Sequence, residues 1–115
     1  MTVTIYHNPK CTKSRETLAL LQQRAVKPEV VEYLKTPPSA AELDAILKKL
    51  GIEPRELMRK KEDAYAEARL DDPKLIRKQL IAAMVKHPIL IERPIVVNGK
   101  LAAIGRPPEK VLEIL

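Results

Sequence analysis

At 115 residues the chain is the length of one domain. Its 45% hydrophobic content can fill a core and its 31% charged content favours solubility, while the absence of any run long and apolar enough for a bilayer excludes a membrane-spanning helix. The formal charge of +6 invites an anionic partner, yet three Tyr with no Phe or Trp leave few rings on which bases could stack, so a nucleic-acid module is disfavoured.

Met1 leads directly into an apparent core strand, without a charged-then-apolar leader, so the expected location is the cytoplasm. Residues 2–6 alternate Val3 and Ile5 with polar neighbours and read as a strand. The loop His7-Asn8-Pro9-Lys10 follows. Residues 11–25 carry Ser14, Leu18, Leu21 and Ala25 at helical spacing, and Lys27-Pro28 breaks the run. Residues 29–33 hold Val30 and Val31 and read as a second strand, so the opening is β-α-β with a parallel crossover.

After Pro37 and Pro38, Ser39 and Glu42 have capping-box spacing and predict a helix to about Leu50, stopped by Gly51. A short helix over 54–59 follows, then helical propensity over 60–70. Asp72-Pro73 is expected to start a further helix, with Leu75, Ile76, Leu80, Ala83 and Met84 on one face, ending before Pro88. His87 reads as a helix-end residue. Strands return at 95–97 and 101–104, joined at the hairpin signal Asn98-Gly99. A last helix over 109–115 is expected to turn Val111, Leu112 and Leu115 inward. The whole reads as a single α/β domain, β-α-β then β-β-α, with an all-helical insertion over about 39–88.

The single cysteine, Cys11, follows a strand and opens a helix. Unpaired N–H groups and the positive end of the helix dipole favour the thiolate there, and the thiolate is the nucleophile. Lys10, Lys13 and Arg15 add positive charge, and the polar, basic flanks suit an inert core cysteine poorly. Zinc sites need thiolate or imidazole partners at short spacing, and the two His are far apart in sequence, so no metal is expected. In Cys11-Thr12-Lys13-Ser14 the last place of a C-x-x-C motif is a serine. No resolving thiol is present, and any disulfide must form with another molecule. His7 and Ser14 are candidates for tuning the thiolate, and Asn8 for shaping the loop.

Four blocks carry a family resemblance. The segments 6–15 (YHNPKCTKSR), 56–61 (ELMRKK), 87–97 (HPILIERPIVV) and 104–108 (IGRPP) resemble, in order, the glutaredoxin-coupled arsenate reductase family. The resemblance covers essentially the whole chain. It implies a thioredoxin-like fold with a helical insertion and a Cys11 that attacks arsenate or another small oxyanion. It further implies an anion site made by Arg59, Arg93 and Arg106, whose planar forks suit tetrahedral oxyanions. Glutathione would act as co-substrate, with no tightly bound cofactor, and glutaredoxin as a transient partner of a monomeric protein. Pro94 would be cis, against a base rate of about 5–6% for X–Pro bonds.

The longer reductases of the family continue past the final helix, so the chain is similar to a short branch in which the substrate is less firmly fixed than the thiol. A glutathione-linked reductase of another compound would use the same cysteine. A thioredoxin-fold regulator that binds RNA polymerase is the other reading; such regulators often keep C-x-x-C as a sensor, and Ser14 removes it here.

Overall fold

A computed structural model describes residues 3–115; Met1 and Thr2, where the first strand was expected to begin, lie outside the described residues. The chain forms β1 (Val3–His7), α1 (Thr12–Gln23), β2 (Glu29–Glu32), α2 (Ala40–Leu50), α3 (Asp63–Glu67), α4 (Arg77–Lys86), β3 (Ile95–Asn98) and β4 (Leu101–Ile104). Three 3-10 helices cover Pro54–Leu57, Pro88–Leu90 and Pro108–Ile114. Two compact units result: residues up to Thr36 with Arg93–Leu115, and the helical segment Pro37–Glu92, wider at both ends than the expected insertion.

The first unit holds one four-stranded sheet in the order β2-β1-β3-β4. β1 runs parallel to β2, with Thr4 opposite Glu29, and antiparallel to β3, with Tyr6 opposite Ile95. β3 and β4 are antiparallel. This union of a β-α-β half and a β-β-α half in one sheet is the thioredoxin-like arrangement. The period-2 pattern of β1 turns Val3 and Ile5 onto a core with Leu21, Val96, Val111 and Ile114.

Local chemistry shifts several boundaries in this unit. α1 stops at Gln23, short of the expected Ala25, because Ala25 is left-handed (φ 60) and Val26 N–H turns back to Leu21 O at 3.0 Å. The hairpin register pairs Asn98 with Leu101, so Gly99 and Lys100 form the loop rather than Asn98 and Gly99. Asn98 is buried, and its amide donates to Ile114 O at 2.7 Å, which keeps it in the strand. The last element is 3-10 rather than α. Its period of three buries Pro108, Val111 and Ile114, while Leu115 is exposed, against the expected inward set.

In the helical unit α2 has the expected capping box: Glu42 N–H donates to Ser39 Oγ at 3.2 Å and Ser39 N–H to Glu42 Oε1 at 3.3 Å. Gly51 closes α2 at φ 69, a conformation glycine adopts without a Cβ penalty. The 60–70 stretch is helical only over α3. It ends at Glu67; Arg69 is left-handed at φ 53, and beyond it Leu70 N–H returns to Tyr65 O at 3.1 Å and Leu70 is buried.

Asp72 does not start α4. Its carboxylate accepts Lys74 N–H at 2.9 Å and its carbonyl accepts Leu75 N–H at 3.2 Å, a local turn that competes with helix. α4 begins at Arg77, with Gln79 Oε1 accepting Ile76 N–H at 3.0 Å. Ile76 is therefore 61% exposed instead of on the buried face, which holds Leu80, Ile81 and Met84. His87 caps the helix end, its N–H donating to Ala83 O at 2.8 Å. Among the described residues no helix is long and apolar enough to cross a membrane.

Candidate active site around Cys11

Cys11 is the N-cap of α1, in extended backbone (φ −94, ψ 124). The turn that delivers it is built by Asn8. Asn8 O accepts Cys11 N–H and Asn8 Oδ1 accepts Lys10 N–H, both at 3.0 Å. A serine or aspartate at this place would cap the free amides of the first turn. Here a sulfur faces them instead, without closing a full capping hydrogen bond. Cys11 is half-buried.

The thiol is pulled in two directions. Burial pushes it up. The Ser14 N–H, the hydrogen bond and charge of the Arg93 guanidinium, and the Lys13 N–H outweigh burial, so Cys11 sits below the ordinary thiol range. Arg106 adds Nη2 at 3.5 Å from Sγ. It is exposed, so water screens its charge more than that of half-buried Arg93.

Arg93 and Arg106 are joined to each other through the backbone. Arg106 Nε donates to Arg93 O at 2.7 Å, and Gly105 N–H donates to Pro94 O at 2.9 Å. The Arg93–Pro94 and Arg106–Pro107 bonds are both cis. Gly105 packs so closely that a Cβ there would lie 2.5 Å from Thr17 Oγ1 and 2.8 Å from Pro94 Cγ. Thr17 is itself fixed, buried on α1 with its hydroxyl donating to Lys13 O at 2.8 Å. The sequence gives no sign of this contact, since Thr17 lies outside every recognisable motif.

Behind the cysteine loop His7, Asn8 and Ser14 are all buried. His7 Nδ1 and Ser14 Oγ share a hydrogen bond at 2.6 Å, and Ser14 Oγ also accepts Asn8 N–H at 3.0 Å. The Ser14 hydroxyl is thus committed to the loop, and its residue acts on the sulfur through the backbone N–H. Burial holds His7 below the usual imidazole range; the charge of Glu32 opposes this and that of Arg15 adds to it. Burial thus favours the neutral ring over the imidazolium.

Arg59 belongs to the helical unit. Its Nη1 donates to Glu62 Oε1 at 3.0 Å, and its Nε lies 4.0 Å from Glu92 Oε1. Of the three predicted arginines, the first unit brings Arg93 and Arg106 to the sulfur. Among the described residues no group of three or more His, Cys, Asp or Glu side chains is gathered to hold a metal ion. A depressed thiol beside two guanidinium groups and open helix-terminal amides can attack an electrophilic centre bearing negative oxygens and hold those oxygens meanwhile.

The sequence profile of the ArsC family matches residues 6–114. The chain belongs to the ArsC family. Within it the chain is 53% identical to a protein named arsenate reductase from Haemophilus influenzae, over the full length of both. It is 60% identical to the uncharacterized protein YfgD of Escherichia coli K12, covering 98% of this chain and 96% of that one. The solved structure of an arsenate reductase from Vibrio cholerae superposes with a TM-score of 0.97 at 56% identity, covering 100% of this chain and 98% of that one. These ArsC-family likenesses extend over the β-α-β half, the helical insertion and the β-β-α half alike.

Proposed function

We propose that the protein is an arsenate reductase that uses Cys11 as nucleophile and outside thiols as reductant. The observation that carries this reading is a Cys11 thiol held below its ordinary range, with Arg93 and Arg106 on the sulfur. The names of the H. influenzae and V. cholerae relatives support the substrate.

Arsenate is a tetrahedral anion, so a thiolate approaching it meets like charge. Fixed cations offset that repulsion, and arginine stays charged throughout. In this reading Arg93 and Arg106 bind the oxyanion together with the amides of Lys13 and Ser14, and Arg59 joins them on the sequence resemblance. The Cys11 thiolate bonds to arsenic and a protonated oxygen leaves as water. Glutathione then bonds to arsenic through its sulfur, and a second protonated oxygen leaves as water. Arsenic accepts two electrons and departs as arsenite, while the Cys11 and glutathione sulfurs give them up and become a mixed disulfide.

With one cysteine the chain cannot resolve that disulfide itself. The role falls to glutaredoxin with further glutathione, meeting a monomeric cytoplasmic protein that carries no tightly bound cofactor. His7 and Ser14 shape the loop that presents the thiolate, as does Asn8.

The test is arsenate-dependent NADPH oxidation coupled through glutathione, glutathione reductase and glutaredoxin, with Cys11→Ser as control. Turnover that depends on arsenate and on glutaredoxin, and disappears in Cys11→Ser, is the expected result. A rapidly alkylated Cys11 without arsenate turnover would refute the substrate and leave the nucleophile.

A further inference from the structure

The guanidinium of Arg15 is held beside the cysteine loop without being neutralised. Arg15 N–H donates to Cys11 O at 3.0 Å, which sets the two residues one helical turn apart at the head of α1. The side chain then folds back toward the start of the helix. Its Nη1 donates to Pro9 O at 3.4 Å and its Nη2 to Thr12 Oγ1 at 3.3 Å, acceptors that flank Cys11 in the chain. Both acceptors are neutral. Among the described residues no carboxylate pairs with Arg15, and the neighbouring Glu16 is paired with Lys13 at 3.7 Å.

Two of the five guanidinium N–H groups are used, so three donors and a full positive charge are left on an exposed side chain next to the nucleophile. Lys10 is exposed as well, but offers a point charge on a flexible stem. A fork already fixed in place suits a carboxylate, which it takes by two parallel hydrogen bonds. Cys11 has no second thiol in its own chain, so every sulfur it bonds to is carried by another molecule.

We propose that Arg15 recognises the outside thiol: it binds a carboxylate carried one residue along the peptide from the incoming sulfur, as in glutathione, and so favours anionic peptide thiols over neutral ones. This rests on the reading that outside thiols reduce the Cys11 adduct. In the mixed disulfide the incoming sulfur lies about 2 Å from Cys11 Sγ. A carboxylate one residue further along the peptide lies up to about 7 Å beyond it. That reach covers one helical turn, about 5.4 Å, which is the step from Cys11 to Arg15. Arg93 and Arg106 keep to the sulfur and the oxyanion, and Arg15 is left for the reductant.

The experiment mixes the reduced protein with oxidised glutathione or, separately, with neutral hydroxyethyl disulfide, and follows the mass of the protein. In each case the Cys11 thiolate attacks one disulfide sulfur. A new S–S bond to Cys11 forms, the old one breaks, and the departing thiolate carries off the electron pair. Thiolate reactivity and loop order affect both reagents alike, so the ratio of the two rates isolates recognition from a merely structural role. The ratio is expected to fall about fivefold in Arg15→Gln, and to fall less in Arg15→Lys and in Lys10→Gln. Salt should lower it in wild type and hardly change it in Arg15→Gln. A ratio unchanged in Arg15→Gln would overturn the assignment, and so would one that falls as far in Lys10→Gln, since diffuse positive charge would then account for the preference. A Cys11 that reacts with neither disulfide would instead sink the outside-thiol reading on which the assignment rests.

Discussion

Replacing Gly105 with alanine tests the packing that seats Arg106. The backbone of Gly105 is not left-handed, so the obstacle is space. The new methyl carbon would lie 2.5 Å from Thr17 Oγ1, 3.1 Å from Thr17 Cγ2 and 2.8 Å from Pro94 Cγ. Thr17 cannot easily turn away, because it is fully buried and its hydroxyl is bonded to Lys13 O. Overpacking of this kind costs about 1–3 kcal/mol. Alanine recovers about 0.4–1 kcal/mol by stiffening the unfolded chain. The expected net loss is about 1–2 kcal/mol, read as a lower urea midpoint at unchanged slope. Because residue 105 is joined to Arg106, the same change should displace the guanidinium from the sulfur and slow Cys11 alkylation at neutral pH.

Thr17→Ala removes two of the three clashing atoms, at a cost of about 1 kcal/mol for the lost hydroxyl bond. In Gly105→Ala/Thr17→Ala the combined loss should fall short of the sum by about 0.5–1 kcal/mol, as expected for residues in contact. Pro94 Cγ remains in the way, so the rescue is partial. A Gly105→Ala protein as stable as wild type, or losses that simply add, would refute the steric account.

Two other outcomes follow from the site and its supports. Cys11 loses its proton at lower pH than an ordinary thiol, so the alkylation rate should rise along a pH limb displaced downward; Arg93→Gln removes a hydrogen bond and a charge from the thiolate and should move that limb back up. An unmoved limb would mean that Arg93 does not help to hold the thiolate. Ala25→Gly relieves a left-handed alanine behind α1 and should stabilise the protein by about 1 kcal/mol in urea unfolding, and a loss of stability would contradict the conformation at residue 25.

Residues that act through their nearest neighbours in the chain were open to reading from the sequence. The Ser39–Glu42 capping box, the Gly51 stop and the strand alternation of β1 are local patterns, and each element formed where its pattern stood. So was Cys11 at the head of a helix, since a strand, a short loop and a helical run leave a residue at that junction little choice. Boundaries failed where a side chain found a closer partner than the helix: Asp72 turned on Lys74, and Asn98 left its hairpin loop to cap Ile114 O. The final helix was placed correctly in the chain but given the wrong period, because single-sequence spacing over seven residues does not separate about three residues per turn from about 3.6.

What the amino-acid order determined by itself was the single thiol, the helix it heads and the basic residues available to it. What only the tertiary structure decided was which charges meet. Arg106 reaches Cys11 across 95 residues of chain, Gly105 fits against Thr17, and Glu92 stands beside Arg59 through the Met58–Ile91 bridge. Such contacts depend on strand register and on the space left between packed elements. Neither quantity is written in the local spacing of residues, since the same charged side chain pairs, binds or stays solvated according to what the fold sets opposite it.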